Sequence, residues 1–284
     1  MPELPDLTIY VESLARKLGR QCLAKVRLFS PFVLRTVDPT IDELLGRELR
    51  AVHRLGKRVV LELRDERFIV IHLMIAGRFQ LRELAAKSPG RIGLAAFDFE
   101  SASLLLTEAS GKKRASIHLV RGREGLEVHR RNGIEPLEVD LHGFRAALSR
   151  ERHTLKRALT DPDVVSGIGN AYSDEILHAA KLSPFALTTS LSEDEWQRLF
   201  AATRSTLELW IERLRTEADG EVPNKVTAFR PEMRVHGRYR EACLLADRSL
   251  SRLMKEDWPR SLEALEELRP NLLRAASEKT RRRR

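Results

Sequence analysis

Gly167-Ile168-Gly169-Asn170-Ala171-Tyr172-Ser173-Asp174-Glu175-Ile176-Leu177 is the stretch on which the reading of this chain turns. Its two glycines free the backbone for a tight turn, and a helix opens directly after them. Tyr172 and Ile176 fall one helical turn apart and read as core residues of that helix. A helix start with open amides is a natural clamp for phosphate, and Asn170 adds a side chain there that both donates and accepts. Glycine-turned helix pairs also occur with no nucleic acid in view. The surrounding chain is helical from Phe144 onward. Residues 155–159 lead to Asp161-Pro162, read as a helix start with proline near the first turn. A further helix is expected over 193–218 and a helical tail after 240.

Upstream the pattern changes. Leu7, Tyr10, Val11, Leu14 and Leu18 recur at helical steps and predict a helix over 7–18. Short β-like runs follow at 25–29, 58–63, 68–73, 93–99, 103–107 and 116–120, separated by turn residues such as Arg64-Asp65-Glu66 and Ser88-Pro89-Gly90. Residues 121–150 are polar, carry Gly122, Gly125, Gly133 and Pro136, and read as a connection. The fold class is therefore α+β: an N-terminal β-sandwich or β-barrel domain with a leading helix, then a helical domain. The expected divisions are 1–125, 126–150, 151–230 and 231–284.

Composition narrows the partner. The 284 residues suffice for two domains with cores of their own. Lys plus Arg number 50 against 41 acids, a net charge of +9, which favours polyanions. The interspersed acids Glu212, Glu217 and Glu221 also fit a merely soluble surface. Cys22 and Cys243 are the two cysteines and stand far apart, so they make neither a disulfide framework nor a cysteine-rich metal site. No apolar run is long enough for a membrane span, and the N-terminus lacks a signal peptide's basic and apolar regions. A reduced, cytoplasmic, soluble protein is expected.

The other chemistry-bearing stretch is Met1-Pro2-Glu3-Leu4-Pro5-Asp6. Removal of Met1 leaves Pro2 with a secondary amine and Glu3 beside it. An α-amino group titrates near pKa 7.7–8, against about 10.4 for lysine, so a useful fraction is neutral and nucleophilic at physiological pH. Attack on a sugar carbon gives an iminium that acts as an electron sink, and Glu3 can hold or move protons there. Prolines near a terminus also simply suppress helix. With Met1 attached, the Pro2 nitrogen is an amide and has no nucleophilic lone pair.

Together these pieces resemble the formamidopyrimidine-DNA glycosylase / endonuclease VIII family of base-excision repair enzymes. Pro2-Glu3-Leu4-Pro5 and Gly167 to Leu177 carry the resemblance most specifically. The latter resembles the family's helix–two-turn–helix DNA-binding motif, and the resemblance implies an N-terminal β-sandwich with a leading helix followed by a helical domain that carries this motif. Arg54-Leu55-Gly56-Lys57-Arg58 is similar to the family's lysine loop, and His72-Leu73 opens the segment of its void-filling side chain. The resemblance implies a bifunctional DNA glycosylase/AP lyase that needs no cofactor and acts on damaged double-stranded DNA. It further implies a monomer in the bacterial cytoplasm, associated with the nucleoid. Pro2 would be the nucleophile, Glu3 the proton-transfer residue and Lys57 the contact to the phosphate beside the lesion. Lys156 and Asn170 would hold the DNA backbone. Chemistry at C1′ requires the nucleotide to be flipped out of the stack, and cations and helix N-termini hold the backbone meanwhile. Apart from the resemblance, Lys57 and Lys156 read as solvated lysines and His72 as a half-buried, satisfied histidine.

The chain departs from the family at several points. Met233 to Arg240 resembles the lead-in to a four-cysteine zinc finger, but Cys243 and His236 supply two candidate ligands where a tetrahedral site needs four, so no structural zinc is expected. Asp6 replaces a usual glutamate. Met74 stands at a position normally glycine and Ile75 at one normally methionine; either can wedge into the gap a flipped base leaves. An arginine–phenylalanine wedge has no counterpart in residues 107–116, where Lys112, Lys113 and Arg114 stand instead. The loop that selects oxidised purines is not recognisable in 213–229, which leaves the preferred lesion open. The missing finger motivates a competing reading, a weak or inactive protein that binds damaged DNA.

Overall fold

Helix α1 (Leu4–Leu18) ties the chain terminus to everything else. It is part of a computed structural model that describes residues 1–238 apart from 225 and 228. The helix begins three residues before the apolar periodicity because Glu3 takes the N-cap position and Pro5 lies in the first turn, where no N–H is needed. Its stripe of Leu7, Tyr10, Leu14 and Leu18 is buried in the sandwich core, whereas Leu4 and Ile9 belong to the helical core. One helix thus carries two apolar faces.

The sandwich is built from β1 (Lys25–Leu28), β2 (Leu49–Leu55), β3 (Arg58–Leu63), β4 (Arg67–His72), β5 (Gly77–Glu83), β6 (Gly93–Asp98), β7 (Ala102–Glu108) and β8 (Ser116–Arg121). They form two antiparallel sheets, in the orders β1-β6-β7-β5 and β2-β3-β4-β8. Alternation sends Val59, Leu61, Ile69, Ile71, Ile117 and Leu119 inward. Strands β2 and β5 were absent from the sequence reading. Each carries basic or polar residues on its outward positions, such as His53 and Arg50 or Arg78 and Arg82, and pairing is what holds them extended.

Helices α2 (Gly122–Glu127) and α3 (Leu141–Leu148) lie in the stretch expected to be connection. α2 lays Leu126 over a small apolar patch of Leu55, Val60, Phe68, Val70 and Val120 on the second sheet. α3 is capped by Asp140 and buries Phe144, Ala147 and Leu148 in the helical core. Then come α4 (Leu155–Thr160), α5 (Asn170–Ala180) and α6 (Glu193–Ala218). Asp161-Pro162 does not start a helix; α4 ends at Thr160, and its C-cap Asp161 is extended at ψ 117. A residue before proline is disfavoured in the helical region, and the Asp161 carboxylate instead accepts from the Asp163 N–H. Residues 1–236 form one compact unit. Cys243, the expected helical tail and the four terminal arginines lie outside the described residues.

Sandwich and helical part meet at a polar clamp. The Arg54 guanidinium donates to Gly56 O at 3.0 Å and Ser166 Oγ at 3.2 Å, and it pairs with Glu135. Ser166 Oγ donates in turn to Glu135 at 2.6 Å. Nearby, Leu4 N–H donates to Gly167 O at 2.9 Å. Gly167 stands at φ +80, and a Cβ there would lie 2.9 Å from Leu4 Cβ and 3.0 Å from Arg54 Nη1. Glu135→Ala leaves the half-buried Arg54 without its carboxylate. We expect a loss of about 1–3 kcal/mol of unfolding free energy in urea titrations.

Candidate active site

Glu3 is the centre of the arrangement. Its side chain is buried, and its carboxylate accepts from Gly169 N–H at 2.6 Å, Ala171 N–H at 3.0 Å and Tyr172 N–H at 3.2 Å. These are the open amides at the start of α5. The phosphate clamp expected there is therefore occupied from within: the anion at this helix N-terminus is Glu3 itself. Gly169 lies where a Cβ would stand 2.5 Å from Glu3 Oε1 and 2.9 Å from Lys57 Nζ. The carboxylate and the Lys57 ammonium thus share one side of that glycine. Lys57 sits in the turn between β2 and β3, and burial lowers its pKa while the Glu3 charge opposes the shift.

The chain terminus lies in the same place. Pro2 is buried and Met1 partly exposed. The Met1 amine is shifted down by burial and then by the Arg78 charge, against the pull of Glu3 and Asp6. Arg78, near the start of β5, donates to Gly77 O at 2.6 Å. Glu3 N–H donates to Asp6 Oδ2 at 3.0 Å, so the shorter acid serves to hold the backbone of Glu3. Burial pushes Asp6 up to about 6, with the Glu3 charge adding to the shift. Beside Asp6 opens a cavity of about 310 Å³ lined also by Ile9, Leu214, Glu217, Asn224 and Arg230. Arg230 pairs with Glu217 at 2.6 Å. Asp6, Arg78 and Arg230 were not assigned roles from sequence; their positions depend on three separate elements meeting.

The residues expected to touch DNA fall into two groups. Lys57 is at the centre. Met74 and Ile75 form the turn between β4 and β5, with Met74 at φ +53, the left-handed conformation that suits glycine, and Ile75 58% exposed. Lys156 and Asn170 lie together on the helical side: Lys156 Nζ donates to Asn170 O at 2.8 Å and pairs with Asp174. Asn170 is exposed. Asp174 also contacts His236 Nδ1 at 2.8 Å, so Lys156 is not a free lysine. Next to it, buried Glu175 accepts from the N–H groups of Arg234, Val235 and His236 at 2.8–3.0 Å, which docks that segment on α5. The loop of Lys112, Lys113 and Arg114 folds over buried Glu108, whose carboxylate accepts from Arg114 and Ala115 N–H. His72 is half-buried, and burial followed by the charges of Arg58 and Lys57 brings it down to about 4.

Two outcomes follow. Gly169→Ala forces a methyl against Glu3 and Lys57, and about 1–3 kcal/mol of stability should be lost in urea denaturation. Asp6→Asn acts in the opposite direction. With a folded pKa of about 6 against 3.8 for the ordinary carboxyl, the native state keeps a proton that the unfolded chain releases. Wild-type stability therefore falls as pH rises from about 4 to 6 and stays lower above that. The Asp6→Asn variant escapes this loss while keeping an acceptor for Glu3 N–H. It should gain about 2–3 kcal/mol at pH 7 and nothing below pH 4, measured by denaturation at both pH values.

Comparison with known proteins agrees with this assembly. Residues 1–117 match the family model of the formamidopyrimidine-DNA glycosylase N-terminal domain, and residues 133–219 match that of the formamidopyrimidine-DNA glycosylase H2TH domain. The formamidopyrimidine-DNA glycosylase of Heliobacterium modesticaldum is 31% identical over 254 residues, covering 86% of this chain and 91% of that protein. The one from Moorella thermoacetica is 30% identical over 261 residues, covering 89% and 94%. A solved complex of Lactococcus lactis FPG (MutM) with FAPY-dG containing DNA superposes with a TM-score of 0.75 at 23% identity, covering 86% of this chain and 91% of that one, and so shares the fold. With both halves matched in order and relatives aligned along most of their length, the chain belongs to the formamidopyrimidine-DNA glycosylase family.

Proposed function

We propose that the chain, once Met1 is removed, is a base-excision-repair DNA glycosylase with AP lyase activity that removes oxidised bases from damaged double-stranded DNA. The observation that carries this reading is the Glu3 carboxylate, fixed by α5 amides next to Lys57 and the chain terminus. A nucleophile, a proton carrier and a cation for phosphate then share one point. The protein works as a monomer in the bacterial cytoplasm, with residues 1–125 carrying the chemistry and 151–230 much of the DNA grip.

In this reading the Pro2 amine attacks C1′ of the flipped nucleotide. The N–C1′ bond forms as the glycosidic bond breaks, and the base leaves with that electron pair and the proton released from the nitrogen. The C1′–O4′ bond then opens, its electron pair goes to O4′, which takes a proton moved by Glu3, and the nitrogen lone pair completes the iminium. The iminium then accepts the electrons released when a C2′ proton is lost, and the C3′–O bond breaks by β-elimination. Glu3 moves protons at the sugar, where its fixed position keeps it in reach of C1′ chemistry. Lys57 holds the phosphate beside the lesion. Met74 and Ile75 fill the vacated space, the exposed isoleucine on its strained turn being well formed for a wedge. The cavity at Asp6 takes the flipped base. Lys156 and Asn170 hold the backbone, with phosphate displacing Asp174 from Lys156.

Borohydride trapping on a duplex with one abasic site tests the reading, using protein whose mass shows Met1 removed. Wild type should give a covalent protein–DNA band. Pro2→Gly should lose most of that band, and Glu3→Gln should slow its formation by about 10²–10⁴-fold, the range for a positioned proton-transfer group. Binding without any band would instead support a non-catalytic protein that recognises damaged DNA.

A further inference from the structure

The end of the second sheet that carries the Lys57 turn also carries cations that the proposed chemistry leaves unused. In register, Arg58 faces His72 and His72 faces Ser116. One row further in, on the same outer face, Val60, Val70 and His118 stand in line. His129, which follows α2, lays its ring 4.8 Å from that of His118. Its carbonyl accepts from Arg58 Nη1 at 2.9 Å. Three separate segments therefore deliver Arg58, His118 and His129 to one place, with Arg131 two residues on.

Among the described residues, the charges that act on Arg58 and on the imidazoles are of one sign. His118 feels His129, Arg58 and Arg35; His129 feels Arg58; His72 feels Arg58, Lys57 and His118; Arg58 feels Arg131. Glu62 shares the outer face but lies beyond Val60, where His53 and Arg123 hold it. Asp163 touches the outer member, Arg131, at 3.5 Å, and leaves its side chain 56% exposed. Elsewhere this chain pairs its cations: Arg27 with Asp98, Arg215 with Glu12, Arg121 with Glu43. A half-buried group of arginine and imidazole side chains with no inward carboxylate among the described residues is arranged for an anion from outside.

We propose that Arg58, His118, His129 and Arg131 form a binding strip for the sugar-phosphate backbone of DNA, running on from the Lys57 turn. The strip rests on the DNA reading above and adds a contact surface to it. Its position supports that ligand. The Lys57 turn, the Met74-Ile75 turn and the loop of Lys112 to Arg114 all lie at this same end of the sheet, because β3 and β8 begin there and β4 ends there. A strand held at Lys57 and wedged at Ile75 reaches the strip within a short run of backbone.

The chemistry of the strip makes DNA binding proton-linked. In the free protein, burial and then neighbouring cations lower the pKa of both His118 and His129, which favours neutral rings. A phosphate seated between them reverses that balance and draws protons onto the imidazoles. Binding should then tighten as pH falls.

The experiment is fluorescence anisotropy of the full chain on a duplex with one tetrahydrofuran abasic analogue, across a salt series at pH 6 and pH 8. Wild type should bind about 5–10-fold more tightly at pH 6, as two additional phosphate-facing charges imply. His118→Gln with His129→Gln should remove most of that gain and lower the log–log salt slope at pH 6 by about 1–2. Arg131→Gln, at an exposed site with little bearing on folding, should weaken binding at both pH values and lower the slope by about 1. Wild-type affinity and slope at pH 6 in Arg131→Gln, and in a double variant with unchanged thermal melting, would overturn the strip. If wild type binds this duplex and is trapped by borohydride on the duplex with a true abasic site, while these variants bind like it, the strip alone falls. If wild type does not bind the duplex at all, the DNA reading falls and takes the strip with it.

Discussion

The arrangement depends on the carboxylate of Glu3 at the start of α5. A helix N-terminus presents N–H groups with no partner inside the helix, together with the positive end of its dipole. A buried carboxylate needs donors. Each solves the other's problem, and the solution joins residue 3 to residues 169–172, which the whole sandwich separates in the sequence. Gly169 is the steric condition for it, since a side chain there would occupy the space of Glu3 and Lys57. Because Glu3 also caps α1, the same contact sets where that helix begins and where the terminus points.

Around that contact, two cores are locked together by one helix. α1 gives Leu7, Tyr10, Leu14 and Leu18 to the sandwich and Leu4 and Ile9 to the helical core, so neither can move without disturbing it. The Arg54–Ser166–Glu135 clamp adds a polar fastening beside Gly167. The outcome is a rigid frame for the terminus, which suits chemistry that requires an amine and a carboxylate in fixed relation. By contrast, two of the features proposed to meet DNA on the sandwich side lie on turns: Lys57 between β2 and β3, and Met74 with its left-handed backbone between β4 and β5.

Electrostatics divides the surface the same way. Most cations are already engaged by acids of the chain, and Lys156 is an instance: its ammonium is held by Asp174 and the Asn170 carbonyl. A phosphate proposed to bind there has to displace Asp174, which favours a well-placed backbone over any polyanion. The group around His118 and His129 differs, since its members face one another and, among the described residues, no carboxylate offsets them from within. A net charge of +9 says only that anions are welcome; these local arrangements say where.

Local periodicity was enough to read several elements from the chain. β3 and α6 have the limits that the patterning indicates, and the Gly167 to Leu177 stretch turns into a helix where its second glycine ends. Such elements are written in nearest-neighbour preferences and in apolar spacing, which need no distant partner. β2 and β5 were illegible because their outward faces are basic and only the strands beside them make them extended. Pro2, Glu3 and Lys57 could be singled out from short motifs. Nothing local to those motifs said that α5 amides would bind Glu3 instead of phosphate, that Asp174 would hold Lys156, or that Asp6 would face a cavity with Arg230. Those facts concern residues far apart in the chain, and burial and charge act between them only once the fold has brought them within a few ångströms.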